Sequence, residues 1–279
     1  MTYHRTTPVT AGDLIFDVRQ TGPDDGEPVL LLHGFPETSL SWSAVAPLLT
    51  DAGLRVFAPD QRGYSPGARP TEVSDYAPDV LAGDVVALAD SLGLDTFHLV
   101  GHDWGAAVAW CVAAQHPGRL RSLTAVSVPH LAAYGAALQS DPDQQQRASY
   151  IGLLRQVGKA EELLLADDGR RLIAMYGDDV PTQQVAAYVA HLSEPGALTA
   201  ALNWYRAMTN DLSSLPTVQV PTTFVWSDED MAIGRLPAEQ CGDFVDADYR
   251  FVELSGISHW IPEQAPAALA EAIIARTRD

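Results

Sequence analysis

Leu99-Val100-Gly101-His102-Asp103-Trp104-Gly105-Ala106-Ala107 is the stretch that decides the fold of this chain. Its apolar approach, Thr96 to Val100, reads as a buried strand, and the alanine-rich run from Gly105 to Gln115 predicts a helix directly after it. Between them lies Gly-x-Asp-x-Gly. Gly101 and Gly105 flank the central residue because so tight a strand-to-helix turn leaves no room for Cβ atoms on either side. A turn of the form Gly-x-Ser-x-Gly lifts its serine oxygen above the sheet. Here the lifted residue is Asp103, and a carboxylate in that position does different chemistry.

Outward from this turn, strands alternate with helices. Upstream, Asp13 to Arg19 and Val29 to Leu32 are strand candidates separated by the turn Thr-Gly-Pro-Asp-Asp-Gly. The second runs into His33-Gly34-Phe35-Pro36-Glu37. Ser41 to Ala52 predicts a helix, Arg55 to Pro59 a strand and Asp79 to Leu92 a helix. Downstream of the turn, Leu120 to Val128 is a further strand. Such alternation argues for a parallel sheet with right-handed crossovers, and assigns residues 1–129 to an α/β core. Residues 130–215 contain no strand-like run. Their helical segments are Asp143 to Val157, Ala160 to Asp167, Gly169 to Met175, Thr182 to Leu192 and Ala197 to Thr209, so an all-helical insertion is expected. The core resumes over residues 216–279 with strands Thr222 to Trp226 and Arg250 to Leu254 and a helix from Pro266 to Arg278.

Composition narrows the function classes. The chain has 279 residues, 47% of them hydrophobic, enough for one sizeable core. No stretch approaches the roughly 20 consecutive apolar residues of a membrane span, and Met1-Thr2-Tyr3-His4-Arg5 lacks an apolar signal region, so a cytoplasmic protein is expected. A net charge of −19 repels nucleic acid and anionic membrane surfaces and disfavours an anionic substrate. Cys111 and Cys241 fit no metal spacing and read as reduced structural thiols. No metal or organic cofactor is implied.

A nucleophile, an acid and a histidine fall after three strands in the order Asp103, Asp230, His259. The carboxyl ends of strands in an open parallel sheet face one crevice, where residues distant in sequence meet. An aspartate is ionised near neutral pH and can attack a saturated carbon directly, which forms an ester of Asp103. His259, oriented by an acid, would then take a proton from the water that attacks this ester. The backbone N–H groups of Phe35 and Trp104 are candidates for an oxyanion hole. Asp228 competes with Asp230 for the acid's role. Trp104, Trp260 and Trp42 are pocket or core residues, and His33 and His102 read as structural neighbours of the turn.

As a set, these motifs resemble the epoxide hydrolases of the α/β-hydrolase superfamily, over nearly the whole chain. His33-Gly34-Phe35-Pro36 is similar to the family's oxyanion loop, in which the Phe-Pro bond is commonly cis. Gly101-His102-Asp103-Trp104-Gly105 resembles its nucleophile elbow, and Gly256-Ile257-Ser258-His259-Trp260 its histidine loop. In Trp226-Ser227-Asp228-Glu229-Asp230 the family's acid falls at the fourth residue after the tryptophan, which selects Asp230; Ser227 stands where glycine is usual. Asn203-Trp204-Tyr205-Arg206 resembles the motif of one of two tyrosines that donate to the epoxide oxygen. The stretch beginning Tyr150-Ile151-Gly152 resembles the motif of the other. Tyr134, Tyr176 and Tyr188 match no motif and read as packing or surface residues.

The resemblance implies an α/β-hydrolase fold: a mostly parallel central sheet, flanking helices and an inserted helical cap. The activity it implies is addition of water to a small-molecule epoxide to give a vicinal diol, with Trp104, Tyr150 and Tyr205 contacting the substrate. A haloalkane or haloacid dehalogenase using the same aspartate is the enzymatic rival. The cap lacks the His-Trp pair of defluorinating haloacid dehalogenases. A catalytically silent binding protein of this fold is the alternative of another class, and oligomeric state, a homodimer included, stays open.

Overall fold

A computed structural model of the chain describes residues 5–208 and 214–278. Met1 to His4, part of the stretch read for a signal region, and Thr209, the last residue of a predicted helix, lie outside these residues. Among the described residues, eight strands form one sheet: β1 (Arg5–Ala11), β2 (Leu14–Thr21), β3 (Glu27–Leu32), β4 (Leu54–Pro59), β5 (Phe97–His102), β6 (Leu120–Val126), β7 (Thr222–Ser227) and β8 (Tyr249–Leu254). Their spatial order is β1-β2-β4-β3-β5-β6-β7-β8. Only the β1/β2 and β2/β4 pairings are antiparallel. From β4 to β8 all strands run parallel, so β3, β5, β7 and β8 deliver their carboxyl ends to one edge.

The central strands are buried throughout β5 and β7 and over Val29 to Leu32 of β3, which is why they appear as unbroken apolar runs. Helices cover both faces. On one side, α1 (Ala46–Asp51) and the C-terminal α12 (Pro266–Thr277) pack over Val29, Leu31, Val100 and Val225. On the other, α2 (Pro78–Ser91) and α3 (Trp104–Gln115) pack over Leu30, Leu32, Leu99 and Phe224. Between β6 and β7 the described residues form no strand, only an isolated bridge from Val218 to Val245 and helices: α4 (Leu131–Ser140), α5 (Pro142–Arg147), α6 (Ile151–Leu154), α7 (Lys159–Ala174), α8 (Thr182–Leu192) and α9 (Ala197–Ala207). Short helices α10 (Arg235–Glu239) and α11 (Ile261–Gln264) follow β7 and β8. No described helix is long and apolar enough to cross a membrane.

Several expectations are corrected. The first strand, Arg5–Ala11, is absent from the sequence reading because Pro8 argues against a strand; it lies at the sheet edge, where the missing N–H is tolerated. The helix predicted over Ser41 to Ala52 is a 3-10 turn, Ser39–Ser43, and then α1, which begins around Pro47. Helix α4 is not expected from the sequence, since its alanine-rich stretch carries no polar face to mark a period. Asp143 to Val157 is not one helix: the backbone tightens to 3-10 at Ala148–Tyr150, between α5 and α6. Ala160 to Met175 breaks where expected, because Asp167, Asp168 and Gly169 adopt left-handed backbone inside α7.

Candidate active site

Asp103 is at the hinge between β5 and α3 with φ +52° and ψ −119°, a conformation that L residues rarely hold. Its neighbours explain the two glycines. A Cβ on Gly101 would run into the Gly105 carbonyl, and one on Gly105 into the Leu32 carbonyl. Gly34 is equally constrained, because a Cβ there would occupy the space of the Asp103 side chain. The loop after β3 can therefore approach closely, and Phe35 N–H donates to Asp103 Oδ1 at 2.8 Å. The Phe35-Pro36 peptide bond is cis. Trp104 opens α3, so its N–H has no partner within the helix and points out at the same end.

His259 Nε2 is 3.5 Å from Asp103 Oδ2. On the far side of the ring, Nδ1–H donates to the Asp230 carboxylate, 2.9 Å from Oδ2 and 3.0 Å from Oδ1. Asp230 is fully buried, and its Oδ1 also accepts from Ala232 N–H at 2.8 Å and Ile233 N–H at 3.0 Å. Arg147 of α5 donates to the Asp230 backbone carbonyl. Burial works against the Asp230 carboxylate, but the His259 charge and these hydrogen bonds outweigh it and hold the pKa below the ordinary value. Burial likewise works against a charged His259. Asp230 and Asp103 prevail and raise it well above the usual histidine range.

Asp228 sits apart from this group: its carboxylate accepts from the Ser255 hydroxyl at 2.8 Å and Gly256 N–H at 2.7 Å. Ser227, the departure from glycine, donates to the Ser258 carbonyl at 2.8 Å and so ties the acid's loop to the histidine's. Behind them, His102 donates from Nε2 to the His259 carbonyl at 2.9 Å, and its Nδ1 is 3.0 Å from Glu37 Oε2. His33 Nε2 accepts from Gln61 N–H at 3.1 Å. Neither histidine lines the cleft.

The cleft beside Asp103 is lined by Trp104, Tyr150 and Tyr205 together with Tyr134, Leu131 and Ile233. Tyr205 packs edge-on against Trp104 and Phe35, with ring centroids 5.0 Å and 5.3 Å apart, and Tyr150 lies 6.4 Å from Tyr205. Arg155 of the turn after α6 donates to the carbonyls of Tyr205, at 2.8 Å, and Met208, at 3.1 Å. It thereby ties the segment bearing Tyr150 to the end of the helix bearing Tyr205.

Tyr134, read as packing or surface, is a wall of the cleft. Its position one turn after Leu131, on a helix not predicted, was the missing signal. Tyr176 and Tyr188 are buried, with the Tyr176 hydroxyl donating to the Pro36 carbonyl at 2.6 Å. Trp42 and Trp260 are core residues. Both cysteines are free and buried, and burial pushes each thiol up to about 12. Among the described residues, no cluster of three or more His, Cys, Asp or Glu side chains is placed to hold a metal ion.

Comparison with known proteins bears on the fold and the family. The family model of the alpha/beta hydrolase fold matches residues 27–266. AB hydrolase superfamily protein YfhM of Bacillus subtilis is 33% identical over 273 residues, covering 95% of each chain. Epoxide hydrolase A of Mycobacterium tuberculosis is 31% identical, covering 92% of this chain and 93% of its own. Among solved structures, one described with novel epoxide hydrolases from metagenomes of hot environments superposes with a TM-score of 0.87 at 30% identity, covering 99% of both chains. Epoxide Hydrolase A of Mycobacterium thermoresistibile gives 0.86 at 26% identity, over 99% of this chain and 98% of the other. The chain belongs to the epoxide hydrolase family of the α/β-hydrolase superfamily.

Proposed function

We propose that this protein hydrolyses epoxides to vicinal diols through an ester of Asp103. The observation that carries this reading is the pair of phenols, Tyr150 and Tyr205, on the same cleft as the Asp103 carboxylate. Opening an oxirane generates an alkoxide, which needs an acid. Burial raises both phenol pKa values well above the ordinary tyrosine value, and the Asp103 charge adds to the effect. Both hydroxyls therefore stay protonated at neutral pH and serve as donors. A halide leaves without a proton, so dehalogenation would make no use of them.

In the first step Asp103 attacks a ring carbon, the C–O bond breaks, and a tyrosine proton passes to the alkoxide. Esterification neutralises Asp103 and so removes one of the two charges that hold the His259 proton. His259 then releases that proton, which by way of solvent replaces the one lost by the tyrosine. The neutral imidazole takes a proton from water as it attacks the ester carbonyl. The N–H groups of Phe35 and Trp104 stabilise the oxyanion. Collapse frees the diol and restores both the Asp103 carboxylate and the imidazolium, and no cofactor takes part.

On this reading Asp103, Asp230 and His259 form the catalytic triad. Residues 1–129 and 216–279 are its core, and 130–215 a cap that brings the tyrosines. A cytoplasmic location goes with this reading. Incubation with styrene oxide, an aliphatic epoxide and a haloacetate, assayed together for diol and halide, tests the proposal. Diol is expected, and its loss in Asp103→Asn. Halide without diol would assign a dehalogenase, and no covalent product with any electrophile would assign a binding protein.

A further inference from the structure

One face of α3 continues the cleft away from Asp103. Trp104, Ala107, Val108 and Cys111 all line it, and they fall at i, i+3, i+4 and i+7, a single stripe of the helix. Helix α2, packed against α3, contributes Leu81 to the same space. This part of the cleft is interior: Ala107, Cys111 and Leu81 are 8%, 3% and 3% exposed. Beyond Trp104 the stripe presents only methyl, isopropyl and thiol groups, and the Cys111 thiol is kept neutral by burial. A polar or charged group entering here would be desolvated without a partner. Ala107 and Cys111 are small, and they are what leaves the space open along the helix.

We propose that this stripe is a subsite for an unbranched apolar tail on the epoxide, with Ala107 and Cys111 setting the longest tail it accepts. The inference rests on the reading of the cleft as an epoxide site, and it names the substrate class as neutral epoxides bearing an alkyl chain on one ring carbon. At 1.5 Å per residue, Trp104 to Cys111 spans about 10 Å along the helix, the length of roughly eight extended carbons. Ala107 lies one turn from the reacting end and Cys111 two turns, so filling either position truncates the subsite at a different depth.

Product binding tests this independently of turnover. Isothermal titration calorimetry with 1,2-diols from butane-1,2-diol to decane-1,2-diol is applied to the unaltered protein, Ala107→Leu and Cys111→Phe, each checked by thermal melting. Affinity is expected to rise about fourfold per methylene, from about 0.8 kcal/mol per buried CH2, and then to level off. The levelling should come at a shorter chain in Cys111→Phe and at the shortest in Ala107→Leu; should the latter misfold, Ala107→Val takes its place. Affinity independent of chain length, or levelling at the same chain in all variants, overturns the subsite. Epoxide turnover is assayed alongside. Chain-length-dependent diol binding without turnover of any epoxide would uphold the subsite and remove the activity, while turnover with flat diol affinities would do the reverse.

Discussion

Replacing Tyr205 by Phe removes one hydroxyl and little else. The ring keeps its edge-on contacts, with centroids 5.0 Å from Trp104 and 5.3 Å from Phe35, so the fold should barely respond. The effect should fall on the step in which charge develops on the epoxide oxygen. Removing one preorganised donor from such a site costs about 2.7–4 kcal/mol, or roughly 100- to 1,000-fold in rate. Tyr150 still lines the cleft, 6.4 Å from Tyr205 between ring centroids, so the loss should lie near 100-fold, and Tyr150→Phe with Tyr205→Phe should lose considerably more. Stopped-flow tryptophan fluorescence separates the steps, because Trp104 adjoins Asp103 and packs on Tyr205. Ester formation should slow by that factor while ester breakdown keeps its rate. Unchanged ester formation with slowed breakdown would refute the reasoning, because the hydroxyl would then be serving the water rather than the leaving oxygen.

Four further outcomes are expected. Asp230→Asn should lower kcat by about 100- to 10,000-fold, since His259 would lose its orienting charge, whereas Asp228→Asn should change kcat by no more than a few fold; equal losses would contradict the assignment of the acid. An NMR titration of the His259 ring should place its midpoint well above the usual histidine range, because the Asp230 and Asp103 charges favour the protonated ring. Asp103→Asn removes one of them and should move that midpoint down; an upward move would contradict the account of how the base is generated. By the same linkage, stability contributed by the raised His259 pKa should be lost as pH rises through that midpoint, and stability contributed by Asp230 as pH falls through its lowered pKa. Arg155→Ala removes two hydrogen bonds to the end of α9 and should cost about 1–3 kcal/mol in denaturant unfolding. It should also slow ester formation more than ester breakdown, with partial rescue by Arg155→Lys.

The parts of this structure that were legible in the sequence are those whose physics is local. The buried strands show as apolar runs because both of their faces are covered, and the elbow shows because Gly101 and Gly105 answer steric demands within a few residues of Asp103. The order of Asp103, Asp230 and His259 was readable because each follows a strand of one parallel sheet. What stayed hidden depends on contacts across the chain. Glu37 and His102 are 65 residues apart, and nothing near either announces that together they back the His259 carbonyl. Tyr134 reaches the cleft on a helix whose alanine-rich sequence has no period to detect, and Arg155 acts on carbonyls about 50 residues away. Strand β1 was obscured by Pro8, which is tolerated only because the strand ends up at the sheet edge. Choosing between Asp228 and Asp230 by residues alone was equally out of reach, since two positions of spacing separate a surface carboxylate from one bonded to His259.

A single turnover in oxygen-18 water distinguishes an ester of Asp103 from direct attack of water on the epoxide. With enzyme in excess over styrene oxide, the oxygen delivered by water should enter the Asp103 carboxylate, and the first diol released should carry only unlabelled oxygen. Mass spectrometry of the peptide containing Asp103 should then show one heavy oxygen. Heavy oxygen in the first-turnover diol, with an unlabelled Asp103 peptide, would mean that water attacks the epoxide directly and would contradict the account.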